Sequence, residues 1–237
     1  MKSLTNITQQ SLYAAAFAAA GILFLFMLAT AAEPQLTHSQ VLATTSDFTI
    51  RQTITDESSF AVPPSDVIMN GSINGITGGQ ATGSSQFVVL TNNAAGYRVD
   101  ISFEDNTTAN AMLGDVSGSL AIRNYDSDTG GQPSFGYSAS TTAGMFAYTV
   151  LSTTTTDTAQ SFLENGAACN QSGGDDFNLA CWKSPAIAPF TIVQRGSSAV
   201  TGATSTVLFN VTIPNSANPV PEAETYTATA TLSLYTL

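Results

Sequence analysis

Cys169 and Cys181 bracket the stretch CNQSGGDDFNLAC, and they are the only cysteines in the chain. In an oxidising compartment, two thiols at this spacing default to a disulfide that closes a short loop. Such a loop constrains the unfolded chain by roughly 3 kcal/mol. A redox or metal pair needs closer spacing or more ligands, so the spacing predicts a structural staple. Upstream, NYDSDTGG sets the oxygen-bearing Asn124, Asp126 and Asp128 at alternate positions ahead of two glycines. That alternation suits the opening of a calcium loop, but no glutamate follows where a bidentate ligand would close it. Asp and Gly equally favour a plain turn. Trp182 adjoins Cys181 and, with Tyr125, Tyr137 and Tyr148, could line a sugar-binding face; alternatively it packs on the disulfide or the core.

Catalytic chemistry is harder to find. His38 is the one histidine, and it lies in a linker-like stretch where nothing fixes its position for a triad. The nucleophile elbow, the zinc-protease helix and the phosphate loop are all missing from the sequence. Three carboxylate pairs remain: Asp175 with Asp176, Glu222 with Glu224, and Glu104 with Asp105. Two carboxylates at a suitable separation can hydrolyse a glycoside, yet neighbouring acids on loops are usually solvated charges. The reading is a chain that is not an enzyme and takes no cofactor and no resident metal.

Export is written at the N-terminus. One charge, Lys2, precedes an uncharged apolar run over residues 12–32 that ends in small residues. Ala29, Thr30 and Ala31 fit a signal-peptidase site, with Ala32 or Glu33 near the mature start. The run is also about as long as the ~20 residues that cross a bilayer. Residues 1–32 are therefore either a cleaved signal peptide or a retained anchor, and both readings put the remainder outside the cytoplasm. Membrane contact is expected only through this segment, if it is uncleaved. The net charge of −11 repels nucleic acid and anionic lipid. Thr and Ser number 33 and 26, and β-branched Thr suits a pleated surface. Sequons stand at Asn70, Asn106, Asn170 and Asn210.

The elements that must position these residues read as strands. Residues 33–45 form a linker or loose first strand. SDFTIRQTIT then sets Phe48, Ile50 and Ile54 on one face, with Thr49, Arg51 and Thr53 on the other. QFVVLT and GYRVDISF, separated by NNAA, read as a hairpin in which Tyr97, Val99, Ile101 and Phe103 face inward. SGSLAIRN, FGYSAS, MFAYTVLS, PFTIVQ and STVLFNVTI supply further strands, with a short helical turn at DTAQSFLE. The proline-rich IPNSANPVPEAE cannot join a central ladder and reads as a crossing between sheets. YTATATLSLYTL follows as a closing strand, with Tyr226, Ala228, Ala230, Leu232 and Leu234 toward the core. Short strands at this spacing predict an all-β, immunoglobulin-like antiparallel sandwich over residues 46–237.

The TNNAAGYRVDISF stretch, the proline-rich crossing and the terminal YTATATLSL strand together resemble bacterial surface β-sandwich domains of the WxL type. Leu232, Ser233 and Leu234 stand where that family carries Trp-x-Leu, so its tryptophan is replaced here. The resemblance implies a cell-surface location and the same fold. Expected functions are a structural or adhesive envelope component, a carbohydrate-binding module, or a pilus-like filament subunit built by strand addition. The partners expected are a cell-wall or surface glycan, or other copies of the chain.

Overall fold

The computed structural model describes residues 47–104, 110–126 and 131–237. The chain divides into two compact units, residues 1–52 and 53–237. Of the first, only residues 47–52 are described; they are exposed and carry no regular structure. Ala29, Ala31 and Ala32 of the expected signal-peptidase site, the expected linker and His38 lie outside the described residues, as do Asp105, Asn106 and Asp128.

The second unit is built of strands: β1 (Ser58–Val62), β2 (Ile73–Asn74), β3 (Gly78–Thr91), β4 (Tyr97–Phe103), β5 (Met112–Gly114), β6 (Ala121–Asn124), β7 (Ser134–Phe135), β8 (Met145–Ser152), β9 (Cys181–Trp182), β10 (Phe190–Arg195), β11 (Ala199–Ile213), β12 (Tyr226–Thr227) and β13 (Ala230–Thr236). The larger sheet runs β1-β3-β11-β8-β6-β5-β12, with β2 also paired to β3. A three-stranded sheet runs β10-β4-β13, and β7 and β9 make a ribbon. Pairing is antiparallel except between β6 and β8. The helical turn expected at DTAQSFLE is a pair of 3-10 turns, Thr155–Asp157 and Gln160–Phe162.

Both sheets turn apolar side chains into one buried cluster. Phe87, Val89, Tyr148, Val150, Val207 and Val211 come from the larger sheet, and Tyr97, Val99, Ile101, Phe103, Ile192 and Val193 from the smaller. Phe103 spans the layers, its ring centroid 5.9 Å from Phe146 and 5.5 Å from Tyr148. Alternation in β4 works as predicted on its inner face. Its outer face is less open than expected, because Asp100 is buried between Arg98, at 3.1 Å, and the Thr191 hydroxyl, which donates to it at 2.8 Å.

Four expectations about pairing need correction. The predicted hairpin does not form, because both edges of β3 are occupied, by β1 and β11. β4 pairs with β10 and β13 instead, so residues 92–96 carry the chain from one sheet to the other. Asn93 holds that crossing: its Oδ1 accepts the Ala95 N–H at 2.9 Å and its Nδ2 donates to the Leu237 carbonyl at 3.1 Å. Gly96, at φ +94°, lets the backbone pass Arg195, whose carbonyl oxygen would lie 1.8 Å from an added Cβ.

Secondly, residues 47–57 form no strand, and Phe48, Ile50 and Ile54 are 84%, 83% and 82% exposed. The ladder starts at Ser58, just after the Asn92 side chain has bonded the Thr55 carbonyl and the Glu57 N–H. Thirdly, FGYSAS contributes only the end of β7, since Tyr137 leaves the ladder to stack on Tyr125. Lastly, the closing strand is split: β12 pairs with β5 in the larger sheet and β13 with β4 in the smaller. The proline-rich segment therefore joins β11 to β12 within one sheet rather than crossing between two. Tyr226, Ala228, Leu232 and Leu234 are half-buried against the core, whereas Ala230 is exposed. The cause is that β13 pairs on one side only.

Candidate functional site

The disulfide joins Cys169 to Cys181, with Cα atoms 5.8 Å apart. It ties β9 to a loop that folds back on residues 163–165, where Glu164 and Asp175 exchange backbone hydrogen bonds at 2.8 and 3.1 Å. Glu164 is buried, and its carboxylate accepts from the Gly166 N–H and from Asn178 Nδ2 at 2.8 Å. The staple thus fixes Trp182 beside the larger sheet. Tyr125 and Tyr137 stack with centroids 5.2 Å apart, and Trp182 meets Tyr137 edge-on at 5.3 Å. The three predicted aromatics are brought together over Met145 and Ala147.

Their exposure differs from the expected sugar platform. Tyr125 is 1% exposed, with its face covered by Tyr137 and its hydroxyl bonded to the Gly136 carbonyl and the Ser138 N–H, each at 3.2 Å. Only Tyr137 and Trp182 retain any surface. Burial also pushes the Tyr137 phenol up, partly offset by the Thr212 hydroxyl. Tyr148 sits in the main core.

Two of the three calcium candidates, Asn124 and Asp126, have partners of their own among the described residues. Asn124 Oδ1 accepts the Ala111 N–H at 2.8 Å, and its Nδ2 donates to the Pro185 carbonyl at 3.2 Å. Asp126 pairs with Arg123 at 3.1 Å on the surface. Among the described residues no cluster of His, Cys, Asp or Glu is arranged to hold a metal ion.

Of the carboxylate pairs, Asp175 and Asp176 part on folding, whereas Glu222 and Glu224 stay close, the Glu224 N–H donating to the Glu222 carbonyl at 3.0 Å. Asp176 is buried and accepts hydrogen bonds from the Ser152 N–H at 3.0 Å and from the Thr158 hydroxyl. Asp175 instead turns outward and accepts the Phe177 N–H at 3.2 Å. A partly buried ion pair that the sequence did not announce joins Asp157 to Arg195 at 2.7 Å. Glu224 Oε2 accepts the Val116 and Ser117 N–H groups at 2.7 and 3.0 Å. The Ser117 backbone N–H, with its hydroxyl and Val116 behind it, holds the Glu224 carboxyl below its ordinary range. These bonds link residues more than a hundred positions apart, so no local signal could have revealed them.

Glu224 also borders a half-open groove of about 760 Å³. Its floor is formed by Ala81, Met112, Ile122, Val211 and Ile213 of the larger sheet. Met69, Ile73, Val220 and Tyr226 wall it, and Glu222 and Glu224 are the charged residues of its described lining. Sequence reasoning missed this groove, because its walls come from seven separate stretches of chain. No family model, curated protein or solved structure matches the chain.

Proposed function

We propose that the chain is a non-enzymatic, exported component of the cell surface, an immunoglobulin-like β-sandwich with a structural or adhesive role that associates with its own copies. One observation carries the reading. Phe48, Ile50 and Ile54 have the alternation of a half-buried strand, yet they stand 82–84% exposed in a segment with no ladder. Apolar side chains patterned for a sheet and left in water are the signature of a strand awaiting a partner. The buried acids support the structural role, since Asp100, Asp157, Glu164 and Asp176 are each spent on hydrogen bonds or ion pairs that hold strands and loops. The WxL-type resemblance and the N-terminal apolar run support a location outside the cytoplasm.

Electron microscopy of the concentrated full-length chain tests this. Filaments or short linear chains are expected; a field of single particles would contradict the reading. A second reading, a surface-glycan binder, rests on the surface that Tyr137 and Trp182 retain. Micromolar hits on a glycan array that vanish in Trp182→Ala would favour it.

A further inference from the structure

The groove beside Glu224 has the build of a small-molecule site, and we propose that it binds a cationic amphiphile, an aliphatic body carrying an ammonium group. Its margins meet at one point: a Cβ on Gly75, just after β2, would lie 2.6 Å from the Pro221 carbonyl oxygen. Contact that close bars a further strand and leaves a partly roofed recess of about 760 Å³, within the roughly 300–1,000 Å³ usual for ligand pockets. Residues 214–225, which supply one wall, are tied down at three points. The Ser216 N–H donates to the Ile76 carbonyl at 2.8 Å and the Asn218 N–H to the Thr142 carbonyl at 2.6 Å, while the Asp115 N–H donates to the Thr225 carbonyl at 2.9 Å. The wall is thus fixed before any ligand arrives, which lowers the ordering cost of binding.

The occupant follows from the lining. The floor is aliphatic apart from its methionine, and Met69 and Met112 are flexible enough to close around an apolar chain. A second recess of about 260 Å³ shares Ile122, Ile213, Val220, Pro221 and Tyr226 with the first. The two therefore abut along Val220 and Pro221 and offer apolar surface to one elongated molecule. Charge sets the head group. Glu222 and Glu224 lie in the described lining of the first recess with no lysine or arginine beside them. Glu222 is exposed and takes part in no ion pair among the described residues. The cation in the described lining of the second recess, Arg123, is neutralised by Asp126 at 3.1 Å. An ammonium group at the Glu222 end meets uncompensated negative charge, whereas a carboxylate at either end meets no uncompensated positive charge.

Methyl NMR of the full-length chain, labelled at methionine, tests the assignment with decylammonium, decanol and decanoate as probes. Decylammonium should shift the Met69 and Met112 methyl signals, assigned through Met69→Leu and Met112→Leu. Met145, which packs in the separate aromatic cluster, should not move. Affinity should rise about fourfold for each methylene added to the amine, the factor set by burying one CH₂. Decanol should bind roughly fivefold more weakly, the upper range for one exposed ion pair, and decanoate more weakly still. Glu222→Gln should narrow the gap between amine and alcohol. Val220→Trp, at a wall position 51% exposed, should abolish the Met69 and Met112 shifts at an unchanged Tm; Phe177→Ala, at an exposed loop position, should not. No shift at Met69 or Met112 with any probe would overturn the site. Equal affinity for all three probes, or tightest binding of decanoate, would overturn the cationic head. Movement of Met145 in step with the other two would mark general partitioning into the core and overturn the inference as well. The Phe48→Asp, Ile50→Asp variant should bind decylammonium like wild type, so this site and self-association stand or fall separately.

Discussion

Replacing Tyr97 by phenylalanine should make the protein more stable. Tyr97 opens β4 and is fully buried between the sheets, and its hydroxyl has no hydrogen-bond partner. Leaving a buried hydroxyl unpaired costs about 1–3 kcal/mol. Removing the oxygen leaves a void of roughly 10 Å³, which at ~24 cal/mol per Å³ costs only about 0.2 kcal/mol. The desolvation term wins, and Tyr97→Phe should gain on the order of 1–2 kcal/mol. For a domain of this size that is about 2–8 °C in Tm, readable by calorimetry or urea titration. A second arm uses pH. Burial, followed by the charge of Asp157 and opposed by that of Arg195, pushes the Tyr97 phenol from 10 up to about 12. The folded state therefore holds this proton longer than the unfolded chain does. The associated stability is fully present below pH 10 and lost as pH rises toward 12, a change of roughly 3 kcal/mol. Wild type should lose stability across that window faster than Tyr97→Phe, in which this contribution is gone. If the variant were less stable by 1 kcal/mol or more, or showed the same alkaline slope, the hydroxyl would have a partner and the reasoning would fail.

Other consequences can be checked directly. Cys169→Ser with Cys181→Ser should cost about 3 kcal/mol, the value expected for a loop of 12 residues' separation; an unchanged urea midpoint would contradict it. Asp176→Asn should destabilise by about 3 kcal/mol, because hydrogen bonds to a buried charge are worth ~1.5–3 kcal/mol each, and chemical denaturation reads this. Glu224→Gln should remove an acid-labile component of stability. The carboxyl is held below its ordinary range by the Ser117 N–H, so its contribution is present above that range and lost as pH falls through the folded value. Acid titrations of the two proteins should then differ only at the low end. In a glycosylating host, mass spectrometry should find sugar at the exposed Asn70 and Asn170 but not at Asn210, which is 1% exposed and bonded to Gln80.

What the sequence made legible was local. Alternation in GYRVDISF gave the inward set Tyr97, Val99, Ile101 and Phe103, because period-2 burial is a property of one strand. The cysteine spacing gave the staple for a similar reason, since twelve residues close a loop without help from the fold. Pairing partners were not legible. Whether QFVVLT meets GYRVDISF depends on β1 and β11 having taken both edges of β3, and β11 lies more than a hundred residues away. The same limit hid the split of the terminal strand, in which Tyr226 and Leu234 share a pattern but serve different sheets. It also hid the groove, whose lining comes from residues as far apart as Met69 and Tyr226. Conversely, SDFTIRQTIT was read as a strand for sound reasons. Its pattern is that of a strand, and among the described residues it joins no ladder.

Sedimentation velocity compares most directly the full-length chain with its Phe48→Asp, Ile50→Asp variant, two changes at exposed positions that leave the core untouched. Concentration-dependent growth of large species in the wild type, abolished by the two aspartates at an unchanged Tm, is the predicted result. Identical monomer boundaries for both proteins at every concentration would contradict self-association through this segment.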